Sequence, residues 1–160
     1  LILAKGIQTG GPINVYRDAY RYGTLDLSGA NSSVGTITGT GYVLIGTARL
    51  AINAATDSTM TANISGTTGG VTKMGSGKLT VSGGLTYTGQ TRVEQGTWSG
   101  NAPSGSVIYV KNGAVFEGAS AGGLVGNGTV KYNSSLSIGS SNQSSEFNGV
   151  IDIGNNQINC

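Results

Sequence analysis

The chain has 160 residues, of which 29 are glycine and only 10% are charged, with a net charge of +2. That length is the size of one domain, and that charge leaves no basic footprint for nucleic acid. Histidine is absent, which excludes a serine–histidine triad, a cysteine–histidine pair and imidazole-ligated metal.

No apolar run approaches the length of a membrane-spanning helix, so no such span is predicted. The chain begins Leu1-Ile2-Leu3 with no initiator Met and no signal peptide, and is read as a processed product or an excised piece. Cys160 is the single cysteine, so no intrachain disulfide framework exists. It is read as an incidental thiol or a tether.

In chain order, the least repetitive stretch comes first: Asn14 to Gly23, NVYRDAYRYG. It is longer than its plainer counterpart at 107–112. Extra length in a repeat maps to a loop on one face, often the contact face. Tyr and Arg anchor contacts, and stacked tyrosines hold sugars. Tyr16, Arg17, Tyr20, Arg21 and Tyr22 are therefore the candidate partner contacts. The plainer reading is a ladder of tyrosines along a rod surface.

Short alternating runs between glycines follow. Alternation over four to six residues is the strand signal, and no useful 3.6-residue stripe appears. Parity predicts Leu25, Leu27, Val34, Ile37, Val43, Ile45, Leu50, Ile52 and Ile64 inward. Thr36, Thr38 and Thr40 resemble one row of an ice-binding threonine array, but 126–130 does not repeat it.

Val71 to Trp98, VTKMGSGKLTVSGGLTYTGQTRVEQGTW, is the organising stretch. Glycines 75, 77, 83, 84, 89 and 96 mark its corners. A chain that turns every six to ten residues must stack short strands. The predicted inward set continues with Leu79, Val81, Val93, Val107, Val110, Leu124, Val130, Leu136, Ile138, Ile151 and Ile153. Parity breaks once: Val115 and Glu117 share a face, which would bury a carboxylate. A one-residue slip, with Ala114 and Phe116 inward and Glu117 outward, resolves it.

A longer repeat is visible at an offset of about 90 residues. Gly23–Leu27 lies over Gly113–Glu117, Thr38–Val43 over Val125–Val130, and Leu50–Ile52 over Leu136–Ile138. Residues 1–160 thus read as a single β-helix segment of a longer array, with both ends interrupting the repeat. Division into strand–turn groups gives coils of roughly 20 to 25 residues, about seven in all. The predicted fold is all-β, a right-handed parallel β-helix (β-solenoid).

Residues 70–98 resemble the autotransporter-associated β-strand repeat of bacterial passenger domains. The matching residues are Gly70, Thr72, Lys73, Gly75, Gly77, Leu79, Val81, Ser82, Gly83, Tyr87, Gly89, Thr91, Val93 and Gly96. Val81 and Trp98 stand where the pattern usually has Leu, and keep those slots apolar. The resemblance implies an exported passenger segment, extracellular or on the bacterial cell surface, delivered across the outer membrane by a barrel. The repeat itself is structural.

Chemistry is thin. Gly122–Gly126 resembles a phosphate loop, but no Lys-Ser/Thr completes it, and it reads as a corner. Glu94 and Glu117 are 23 residues apart, about one coil. Stacked on one face they would approach a retaining glycosidase pair; two surface acids are the simpler reading. Five Asn-x-Ser/Thr triplets, beginning at Asn31, Asn63, Asn127, Asn133 and Asn142, are read as unglycosylated. The expectation is a non-enzymatic structural stalk or fibre in an adhesion or surface-display setting, with no cofactor and no metal. Its expected partners are itself, by head-to-tail stacking, or surface glycans. The alternative is a carbohydrate-binding or carbohydrate-cleaving β-helix of the phage tailspike kind.

Overall fold

The structure is a computed structural model that describes residues 6–16, 18, 19, 21–27, 29–132, 137, 138 and 145–154. Among these there is no helix. The chain winds repeatedly past three sheets in a fixed order, and each strand pairs in parallel with its equivalent one turn on. It is a parallel β-solenoid.

The first face is a four-stranded sheet of Thr24–Asp26, Tyr42–Gly46, Asn63–Gly66 and Leu85–Thr86. Further along, Ser120–Ala121 pairs with Ser137–Ile138. The second face has seven strands: Ser32–Val34, Arg49–Asn53, Gly70–Met74, Thr91–Val93, Val107–Val110, Gly123–Gly126 and Glu146–Phe147. The third has six: Ser58–Met60, Lys78–Val81, Thr97–Ser99, Val115–Glu117, Thr129–Lys131 and Val150–Asp152. Ile37–Thr38, which pairs with Ile13–Asn14, lies against Ser58–Met60. Seven strands on the second face make seven levels among the described residues, with six full turns between first and last.

One column runs through all seven levels: Val34, Ile52, Lys73, Val93, Val110, Gly126 and Phe147. The chain advances 18, 21, 20, 17, 16 and 21 residues between successive members. These turns are at or below the short end of the 20 to 25 residues expected.

Alternation decides what is inside. Lys78–Val81 and Val107–Val110 both read half-buried, buried, half-buried, buried, as a strand with one covered face must. Leu79, Trp98, Phe116 and Val130 stack in register on the third face, each at or near zero exposure. Burying each such side chain contributes about 1.5–3 kcal/mol. Corners use glycine where a side chain is impossible. Gly75 has φ +80°, and a Cβ there would lie 2.5 Å from the Ala54 carbonyl oxygen one turn earlier.

Most of the predicted inward set is buried, and Glu117 faces outward with Ala114 and Phe116 inside. Several residues differ. Val107 is half-exposed and Ile108 takes the inward slot; residues 107 and 110 are an odd number apart and cannot share a face. Ile138 and Ile151 are 40% and 43% exposed and Ile153 is partly exposed. Ile138 and Ile151 lie on the last strand of their sheets, with no further strand over them among the described residues. Leu136 and Cys160 lie outside the described residues.

The 90-residue offset does not join equivalent positions. Leu25 and Val43 lie on the first face, whereas Val115 and Val130 lie on the third. Leu50 and Ile52 lie on the second, whereas Ile138 lies with the continuation of the first. Each pair is offset by a whole number of turns plus part of another.

Candidate functional site

The tyrosine-rich loop leaves Ile13–Asn14 and returns at Thr24. It is pinned by a tight turn: Asp18 N–H donates to the Arg21 carbonyl at 3.1 Å, and Arg21 N–H donates to Asp18 Oδ1 at 2.6 Å. Tyr16 and Tyr22 project, 68% and 54% exposed, and Arg21 is exposed. Tyr22 tilts against Tyr42 of the next level, ring centroids 5.5 Å apart. Tyr42 was not among the candidates, because only stacking brings it there. Arg17 and Tyr20 lie outside the described residues.

Two buried polar clusters sit inside the solenoid. Lys73 occupies an inward slot, fully buried, between Ile52 and Val93. Its Nζ donates to the carbonyls of Met74, Gly75 and Gln95 at 2.9, 2.7 and 3.1 Å. Burial lowers its pKa from 10.5 to about 8, a shift that Asp57 opposes. Lys73 is thus still an ammonium at neutral pH, held by three backbone oxygens. The sequence carried a signal for this: Lys73 shares parity with Val71.

The second cluster is a chain of hydroxyls. Tyr87 Oη lies 2.8 Å from Thr91 Oγ1, which lies 2.9 Å from Ser106 Oγ. Ser106 Oγ also accepts from Thr91 N–H at 3.0 Å and donates to the Gly89 carbonyl at 2.7 Å. Ser106 has one proton, spent on Gly89, so Thr91 donates to Ser106 and Tyr87 donates to Thr91. Burial pushes the Tyr87 phenol well above its usual range.

Charges occupy the outer faces. Arg92 donates to Glu94 Oε1 and Gln90 Oε1 and lies 4.1 Å from the ring centroid of Tyr109, its partner one level on. Lys111 lies 3.5 Å from Glu94. Lys78 Nζ meets Glu117 Oε2 at 2.6 Å across two levels of the third face. Glu94 follows the second face and Glu117 ends a third-face strand. They do not stack, and each carboxylate is ion-paired with cations of its own. The geometry of a retaining pair is absent for these two acids.

Beside Lys78 and Glu117, the corner between third and first faces is hollowed into an open groove of about 660 Å³. No family model matches this chain, and no curated protein or solved structure does either.

Proposed function

We propose that the chain is a structural segment of an exported bacterial surface protein, an autotransporter-like passenger stalk or fibre that works in adhesion or surface display. One observation carries this reading. The residues that make 70–98 resemble the passenger repeat are the residues that join one coil to the next. A Cβ on Gly77 would lie 2.2 Å from the Thr56 carbonyl carbon, and one on Gly83 would lie 2.0 Å from the Ala62 carbonyl oxygen. Leu79, Val81, Tyr87, Val93 and Trp98 are all buried. A motif spent on stacking builds length, and length is the use of a stalk.

Surface display tests it. In the parent protein on intact cells, Val81→Asp puts a carboxylate into the coil interior and abolishes protease-accessible display. Thr80→Asp, on the outward side of the same strand, leaves display intact. Equal display of both variants would sink the proposal. Self-association belongs to the same reading. Among the described residues, Val150 and Ile151 lie exposed on the last strand of the third face, and uncovered strand edges recruit further strands. Sedimentation that stays monomeric from micromolar to millimolar concentration would rule it out.

A further inference from the structure

We infer that the fold singles out Asn112 as a site of spontaneous deamidation, through a cyclic imide closed by the Gly113 backbone nitrogen. The sequence holds three Asn-Gly pairs, Asn112-Gly113, Asn127-Gly128 and Asn148-Gly149. All three lie at one corner, where successive coils pass from the second face to the third. Each asparagine is exposed. Composition treats the three alike, and the stacking does not.

The last two pairs are themselves the corner. Strands end at Gly126 and Phe147 and resume at Thr129 and Val150, so two residues make each turn. Both pairs are built into the ladder. Asn127 N–H and Gly128 N–H donate to the Val110 carbonyl at 3.0 and 2.9 Å. Asn148 N–H donates to the Gly126 carbonyl at 2.8 Å, and Val150 N–H donates to the Gly128 carbonyl at 2.9 Å. A Cβ on Gly128 would lie 2.4 Å from the Lys111 carbonyl oxygen, and one on Gly149 would lie 2.1 Å from the Gly128 carbonyl oxygen. The coil before them uses four residues, 111–114, at the same corner. Register pairs Val110 with Gly126 and Val115 with Thr129, so two of those four are in excess. Ala114 N–H donates to the Lys111 carbonyl at 2.9 Å and closes a tight turn with Asn112 and Gly113 at its tip. Gly113 has φ +81°, and a Cβ there would meet nothing within 4 Å. Among the described residues, no backbone hydrogen bond holds the Asn112 or Gly113 N–H.

The reaction needs such a tip. The Gly113 nitrogen gives up its proton and attacks Asn112 Cγ, the Cγ–Nδ2 bond breaks, and ammonia leaves. Water then opens the five-membered imide at either carbonyl, leaving aspartate or isoaspartate. Closing the ring turns the backbone about the asparagine Cα–C bond. A free tip allows that turn, whereas Gly128 must first break its ladder bond. The product adds one negative charge beside Lys111, outside the ladder, so the coils stay stacked.

Incubation of the chain at mildly alkaline pH, followed by peptide mass spectrometry, tests it. The Asn112 peptide gains one mass unit at least about tenfold faster than the Asn127 and Asn148 peptides, and isoaspartyl methyltransferase labels it. In urea, with the ladder gone, the three rates converge. Asn112→Gln and Gly113→Ala each suppress the fast site, and circular dichroism confirms that both variants are folded. Equal rates at Asn112 and Asn127 in the folded chain overturn the proposal. So does a preference for Asn112 that persists unchanged in urea, since it would come from local sequence rather than from the stacked coils.

Discussion

The coil from Gly70 to Leu85–Thr86 and the coil that follows Val93 cross the same three faces by different means. In the earlier coil the chain takes 20 residues from Lys73 to Val93 and lays a strand on every face. In the later one it takes 17 residues from Val93 to Val110, and 100–106 contains no strand. Leu85–Thr86 is therefore the last strand of the four-stranded first-face sheet. At the entry to the second face a side chain takes part in the ladder, Ser106 accepting from Thr91 N–H and donating to the Gly89 carbonyl. Gly100 and Asn101 of this path line the corner groove together with Gly118 of the next coil. The later coil thus omits the first-face strand and anchors its entry to the second face through a hydroxyl.

The third-face column that runs through both coils breaks hardest. Trp98 is fully buried between Leu79 and Phe116. Trp98→Ala should cost about 3–5 kcal/mol in urea unfolding; a loss under about 1 kcal/mol would mean the column is not a tightly packed core.

Lys73 sharpens the comparison through pH. Its folded pKa of about 8 lies below the ordinary 10.5, so between those values the unfolded chain holds more protons than the folded one. Stability contributed by this group rises with pH across that window and is flat below and above it. The rise is at most about 3 kcal/mol. Lys73→Met should remove it, read as the difference between wild-type and variant urea midpoints at pH 7 and pH 10. Parallel pH profiles would show that the ammonium is not held in a desolvated site.

The shortened coil is probed last. Ser106→Ala strands Thr91 N–H and the Gly89 carbonyl and should cost about 1–3 kcal/mol. Tyr87→Phe removes only the terminal donor of the hydroxyl chain and should cost about 1 kcal/mol. Equal losses for the two variants would show that Ser106 does not anchor the shortened coil.

Much of the fold was legible beforehand. Alternation around Leu79, Val93 and Leu50 announced inward columns, and the parity conflict at Glu117 announced a one-residue slip that the structure contains. Val107 was misplaced because it and Ile108 are adjacent and both apolar, so hydrophobicity alone could not choose between them. The candidate sites were less legible. Tyr22 was chosen from composition, yet its contact with Tyr42 depends on how many residues fill one turn. The Lys78–Glu117 pair spans two levels and 39 residues, and no local pattern predicts it.

By itself the sequence determined the period-two alternation, the glycine corners and hence a stack of short parallel strands. These are local properties, set by backbone sterics and by which side chains leave water. The tertiary structure decided which rows of side chains stand above one another. That depends on the residues per turn, which vary from 16 to 21. A change of one residue moves every later side chain relative to the levels before it. For that reason the inward set left out Lys73, whose carbonyl cage draws Gln95 from the next coil, and the groove between Lys78 and Lys131 appeared only once the coils were stacked.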